Sequence, residues 1–227
     1  MKFFLLFFII VILFIMNIYF CIKIFKSSKI QYIELSKSAE CGTYGCLDDY
    51  LDFEEFDNVN GLNKAIVPDI VHLLFLQQTE IPFYQVINIY SIYFNHKPKL
   101  IYFHCDNCSF HGKYWKWIKN NKKLSKIVKV HPIPFHDKIF GVQYGWLNHH
   151  RSDIWRLQLL MNYGGIYLDN DVYVVNSLHK YLKYEMTVSW PKKNDGLGVQ
   201  TLIAHKNARL LKGIIKILLL KILYDSK

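Results

Sequence analysis

Between positions 3 and 22 the chain has no charged residue at all, only Phe, Leu, Ile, Val, Met, Asn, Tyr and Cys. At about 1.5 Å of rise per residue this run crosses a ~30 Å hydrocarbon core, so residues 1–24 read as a short tail and a transmembrane anchor. The Ala-x-Ala pattern of a cleaved leader is missing, and the run exits through Lys23, Phe25 and Lys26. Other absences exclude other classes. None of the usual nucleic-acid modules is present and the lysines are scattered, so the formal charge of +10 does not argue for DNA or RNA as a partner. Cys105-x-x-Cys108 has no second pair at zinc spacing, and His149-His150 lack the His-x-x-x-His pattern of a helical zinc site. Disorder is excluded by 52% hydrophobic and 16% aromatic residues.

At 227 residues the chain accommodates one domain with a substantial core plus appendages. Residues 25–64 read as a stem. They are polar and then acidic (Asp48, Asp49, Asp52, Glu54, Glu55, Asp57), with a turn at Asn60-Gly61. Cys41, Cys46, Cys105 and Cys108 allow three pairings if the compartment is oxidising; for Cys105 and Cys108 a structural disulfide or a buried thiol fits better than a redox or metal role. From Ile66 strands and helices alternate: strand 66–76, helix 83–94, strand 99–104, helix 111–120 and strand 126–131, closed by Pro132 and Pro134. This order argues an α/β chain with a parallel sheet of Rossmann-like winding. A strand at 172–175 and a helix over 208–224 follow, the last with a basic stripe of Arg209, Lys212, Lys216 and Lys221. His72 and His104, inside expected strands, read as core histidines, and Trp115 and Trp117 as core aromatics.

The chemistry concentrates in residues 150–171. Ser152 has the character of a helix N-cap, and Asp153 suits the positive end of the helix dipole. Ile154, Leu157, Leu160 and Met161 share one helical face, and Gly164-Gly165 stop the helix. Ile166-Tyr167-Leu168 has the β-branched and aromatic character of a short strand, and Asp169-Asn170-Asp171 follows its carboxyl end, where α/β sheets place their ligand chemistry. If the chain stays extended there, Tyr167, Asp169 and Asp171 point one way and Asn170 the other. Two converging carboxylates repel unless a cation lies between them, and hard oxygen ligands suit Mg²⁺ or Mn²⁺. Asp153 and Arg156, three apart on the helix, pair a carboxylate for sugar or ribose hydroxyls with a guanidinium for a phosphate or sugar oxygen.

The block Ser152-Asp153…Arg156, apolar helix, Gly164-Gly165-Ile166-Tyr167-Leu168-Asp169-x-Asp171 resembles the glycosyltransferases with a DXD-containing sugar-binding region. That group includes α-1,6-mannosyltransferases, α-1,4-galactosyl- and N-acetylglucosaminyltransferases, and the block is also similar to that of the clostridial glucosylating toxins. The resemblance runs from about Val67 to about Asn207 and implies a further strand at 198–205.

It implies a Rossmann-like, A-type glycosyltransferase fold over residues 65–227, shortened at its C-terminus, and metal-dependent transfer from a UDP- or GDP-sugar to a glycan, glycolipid or glycoprotein with retention of configuration. Donor contacts fall to Asp153, Arg156, Tyr167 and Asp169, and the Mn²⁺ or Mg²⁺ to Asp169 and Asp171. It also implies a Golgi type II protein with a luminal catalytic domain, although Lys23, Lys26 and Lys29 outnumber Lys2 and by charge alone would put the C-terminal side in the cytosol. Relatives continue well past the equivalent of Lys227. The second reading is therefore a truncated, non-catalytic membrane protein that binds donor, glycan or a partner transferase; a metal-dependent phosphohydrolase is a third.

Overall fold

The computed structural model describes residues 53, 56–134, 138–139, 142–143, 148–190, 196–214 and 217, with backbone alone at 138–139, 142–143 and 148–150. The expected anchor, nearly all of residues 25–55 and the helix beyond 217 lie outside them. Among the described residues no helix is long and apolar enough to cross a membrane.

A six-stranded mixed sheet flanked by helices organises the rest. In chain order the elements are β1 (Ile70–Phe75), α1 (Phe83–Ser91) continued by a π turn (Ile92–His96), β2 (Leu100–Cys105), α2 (Gly112–Asn120), a single turn α3 (Leu124–Ile127) and β3 (Val128–Pro132). A two-residue ladder of β4 (Lys138–Ile139) and β5 (Val142–Gln143) follows, then α4 (Asn148–Tyr163), β6 (Gly165–Leu168), a 3₁₀ turn (His179–Tyr181), β7 (Met186–Ser189) and β8 (Gly198–Ala204). The sheet order is β3-β2-β1-β6-β8-β7. The first four of these strands run parallel, and β8 and β7 are antiparallel to their neighbours.

Alternation along β1 and β2 explains both layers. Val71, Leu73, Phe75, Ile101, Phe103 and Cys105 face one way into the main core with Val86 and Ile89 of α1 and Ile118 of α2. Every residue of β1 is buried, as expected of a strand covered on both faces. The strand opens at Ile70 rather than Ile66, because the Ile66 and Val67 N–H groups both bond to the Leu182 carbonyl, at 2.8 and 2.9 Å, and hold the chain off the sheet. The core also takes in Phe53, whose ring meets Phe56 and His205 edge-on. This lies ahead of residue 65, where the sequence places the start of the folded domain.

The opposite sheet face carries His72, His104 and His131, on β1, β2 and β3. His72 Nε2 lies 2.9 Å from the Gly164 carbonyl, which only accepts, so this nitrogen carries the proton. His72 Nδ1 then accepts from His104 Nε2 at 2.9 Å, and His104 Nδ1 from His131 Nδ1 at 3.2 Å. One carbonyl thus sets the tautomer of three rings. The expectation of satisfied core histidines holds for His72 and His104. Burial keeps His72 neutral, with its pKa pushed down to about 4, and holds His104 well below the ordinary histidine range.

Two sequence expectations fail here, the first because of long-range partners. Residues 172–175 form no strand. Asn88 Nδ2 instead donates to the Val172 carbonyl, Ser91 Oγ accepts from Val174 N at 3.0 Å, and Asn95 Nδ2 donates to the Val174 carbonyl at 2.7 Å. α4 begins at Asn148, four residues before the Ser152 cap that the sequence suggests, which leaves Ser152 inside the helix facing Arg156. Cys105 and Cys108 form a disulfide, while Cys41 and Cys46 lie outside the described residues. Trp115 packs against Phe103 and Phe110 as expected, whereas Trp117 is exposed.

Candidate active site

The chain leaves β1 in one direction to build β2 and β3, then returns to place β6 on the other side of β1. That reversal between parallel neighbours is a topological switch point, and ligands of open α/β sheets bind in the crevice outside the carboxyl ends of such strands. Asp169-Asn170-Asp171 lies there. The Asn170 amide donates to the Leu74 carbonyl of β1 at 2.7 Å and pins the turn to the neighbouring strand.

Gly164 and Gly165 make this placement possible. Gly164 adopts φ +63°, and its N–H closes the last turn of α4 on the Leu160 carbonyl at 2.8 Å. Gly165 adopts φ +111°, and a Cβ there would stand 2.8 Å from the Ile70 carbonyl. Only glycine lets the chain turn from helix into strand against β1.

Tyr167 and Asp169 meet at the end of β6, and Asp153 and Arg156 reach in from α4. The Tyr167 hydroxyl donates to Asp169 Oδ1 at 2.8 Å, which confirms that these side chains share a face. Arg156, buried to 5% exposure, sits with its guanidinium carbon 4.9 Å above the Tyr167 ring. Its NH2 group lies 3.1 Å from Asp153 and 3.4 Å from Asp169. Nε donates to the Ser152 carbonyl at 3.2 Å, NH2 to Ser152 Oγ at 3.2 Å and NH1 to the Val199 carbonyl of β8 at 2.8 Å. So many partners make Arg156 first a brace that fixes two carboxylates and a phenol. Asp171 is exposed, and here the assumption of an extended chain fails: the Val172 N–H bonds to the Asp169 carbonyl at 3.1 Å, closing a turn over Asn170 and Asp171.

Burial raises the pKa of Asp169; Arg156 and the Tyr167 hydroxyl oppose that rise, while Asp171 and Asp153 add to it. Burial also pushes the Tyr167 hydroxyl up, so it stays a donor to Asp169. A half-buried carboxylate beside two others is a donor set of hard oxygens whose mutual repulsion a divalent cation relieves. The oxygens present are of the type that fits Mn²⁺ or Mg²⁺, which Asp169 and Asp171 would hold.

A family model described as "Glycosyltransferase sugar-binding region containing DXD motif" matches residues 18–188. The chain belongs to this glycosyltransferase family. It is 31% identical over 140 residues to "Glucan organizing enzyme 1" of Cryptococcus neoformans var. grubii, a match that covers 57% of this chain and 36% of that protein. The chain thus spans little more than a third of the relative's length. Among solved structures it is similar to "PaToxG Glycosyltransferase", with a TM-score of 0.42 and 16% identity over 64% of this chain and 57% of that one.

Elsewhere in this chain, ligand-type atoms of Asp69, His96 and His179 lie within 4.8 Å of one another. They stand at the amino-terminal end of β1, away from the DXD turn. His96 Nδ1 accepts the Leu178 N–H at 3.2 Å, so the neutral ring carries its proton on Nε2, facing Asp69 Oδ1 at 3.1 Å. That approach is too oblique for a well-formed hydrogen bond. His179 Nε2 lies 3.2 Å from Asp69 Oδ2. In this tautomer the proton occupies the direction a metal would need, and the group works as a clamp between β1 and the two turns.

Sequence reasoning also missed the two residues whose side chains hold the DXD turn in place, Asn170 and Asn88, the latter donating to the Asp169 carbonyl at 3.3 Å. A signal existed for Asn88. Gln85, Asn88, Ser91 and Asn95 recur at helical spacing along α1 and its π turn, a polar stripe that faces inward.

Proposed function

We propose that this chain is a glycosyltransferase that moves a sugar from a UDP- or GDP-sugar to a glycan, glycolipid or glycoprotein acceptor in a divalent-metal-dependent reaction. The observation that carries the proposal is the convergence of Asp153, Arg156, Tyr167 and Asp169 at the β1/β6 switch point, with Asp171 on the same turn. Mn²⁺ or Mg²⁺ held by Asp169 and Asp171 would supply neutralisation of charge on the leaving diphosphate. The remaining work belongs to the chain. Tyr167 and Arg156 fix the rotamer of Asp169, and Arg156 holds Asp153 toward the donor's hydroxyls. The guanidinium adds positive charge to the cleft without having to move.

The resemblance supports retention of anomeric configuration, an A-type glycosyltransferase fold over residues 65–227, a stem over 25–64, an anchor within residues 1–24 and residence in the Golgi membrane with the catalytic domain luminal. The parallel β3-β2-β1-β6 order is consistent with that fold. The test is donor turnover by the full chain in detergent against a panel of UDP- and GDP-sugars, with and without Mn²⁺. Metal-dependent cleavage of one donor, accelerated by a sugar acceptor, is the expected result. Cleavage indifferent to acceptor would reassign the chain as a phosphohydrolase, and no cleavage by folded protein would leave a donor- or glycan-binding protein without turnover.

A further inference from the structure

Helix α1 and its π turn bury polar side chains beside Val86, Ile89 and Ile92 and leave large apolar ones outside. The segment Phe83–His96 contains no Asp, Glu, Lys or Arg. Gln85, Asn88 and Ser91 are buried against the core, while Phe83, Tyr84, Ile87 and Phe94 point to solvent, each 39–58% exposed. These positions, with half-buried Tyr90, follow spacings of three and four and form a continuous outward stripe. α2 extends it. Phe83 meets Tyr114 at 5.6 Å between ring centroids, Tyr114 meets exposed Trp117 at 5.2 Å, and Lys113 Nζ lies 5.1 Å from the Trp117 ring. An apolar face of this extent on a water-exposed helix needs an occupant.

Charge decides which one. Residues 107–136 contain no Asp or Glu, and Lys113, Lys116, Lys119, Lys122, Lys123 and Lys126 are all exposed along α2 and α3. Lysines that look scattered in sequence are thus gathered beside the aromatic stripe. Lys97, exposed, flanks its other end, and Glu80 at the margin is paired with His111 at 3.1 Å. Tyr and Trp with an apolar body and a polar tip, edged by lysines whose long stems reach past apolar surface, suit the boundary between acyl chains and anionic headgroups. A protein partner would need an acidic rim around an apolar groove; a bilayer with anionic lipid supplies both over any area.

We propose that the face formed by α1, the π turn and α2 docks on a bilayer carrying anionic headgroups, with Phe83, Tyr84, Ile87, Phe94 and Trp117 at acyl depth and the α2–α3 lysines at the headgroups. This docking orients the sheet relative to the membrane and so fixes the height at which the DXD turn meets a membrane-bound acceptor. It is independent of the transfer chemistry proposed above.

The test is photo-crosslinking of the full chain, reconstituted into vesicles of phosphatidylcholine alone or with phosphatidylserine, to a photoactivatable phospholipid, with adducts mapped by mass spectrometry. Adducts are expected on 83–96 and 112–120, enriched by phosphatidylserine and reduced by salt. Each Lys→Glu change among Lys113, Lys116 and Lys119 is expected to reduce them roughly fivefold or more, the size set by the attraction of one basic residue to an anionic surface. The pair Ile87→Glu and Phe94→Glu removes them without unfolding, because both side chains are exposed. Adducts confined to residues 3–22 in both vesicle types would overturn the proposal, as would adducts on 83–96 and 112–120 indifferent to phosphatidylserine and salt.

Discussion

Asp169 is held where its charge is least welcome. Its folded pKa stands above its unfolded one because burial outweighs Arg156 and Tyr167. A carboxylate raised in this way lowers stability when ionised, and the penalty fades as pH falls through the folded value and is gone below the unfolded one. Asp169→Asn is therefore expected to raise Tm in thermal melts at pH 7 while abolishing metal-dependent turnover; a lower Tm would mean that the Arg156 contact outweighs burial. Asp171 is exposed, so Asp171→Ala should leave Tm unchanged and reduce turnover at least tenfold, about 1.4 kcal/mol of barrier. At this scale the sequence was most legible. Asp153, Arg156, Tyr167 and Asp169 lie within one short stretch, so local spacing alone brought them together. Ser152 and Asn170 escaped because their roles depend on where α4 starts and how the turn meets β1.

Between helix and strand, Gly164-Gly165 leaves no room for a side chain. Gly165→Ala meets both a left-handed φ and the Ile70 carbonyl at 2.8 Å, so chemical denaturation is expected to show a loss of roughly 2 kcal/mol or more. A second joint lies at β7. Burial alone would raise the pKa of Glu185, but hydrogen bonds from Arg209 and Asn58 hold it below the ordinary range. Arg209 NH2 donates to Glu185 Oε2 at 2.7 Å and Asn58 Nδ2 to the same oxygen at 3.1 Å. Arg209→Ala leaves that buried carboxylate short of partners and should cost about 2 kcal/mol by the same measurement. Elements were legible where periodicity and glycine or proline marked them, as in β1, α1, β2 and α2. Residues 172–175 misled because a run rich in valine reads as strand. The side chains that claim its backbone sit on α1, about eighty residues earlier in the chain.

For the molecule as a whole, the row His72–His104–His131 links folding to pH. The unfolded chain takes up protons near 6.5, while folded His72 resists until about 4. A histidine pKa depressed by folding contributes stability that is complete above 6.5 and is lost as pH falls toward 4. The loss approaches about 1.4 kcal/mol per pH unit for each such histidine. Melts from pH 7 to pH 5, above the range where ordinary carboxylates titrate, should show a falling Tm; a flat profile would contradict the neutral, hydrogen-bonded row. The sequence shows an α/β chain with a parallel sheet, but not that β8 and β7 close it antiparallel, since strand order is set by contacts between distant segments. The most direct test of the account is Mn²⁺ binding by the full chain, followed by electron paramagnetic resonance in the presence of UDP or GDP. The account predicts a nucleotide-dependent site that Asp171→Ala removes and Asp69→Ala leaves intact. A site lost with Asp69 and retained without Asp171 would move the metal to the other end of β1 and contradict it.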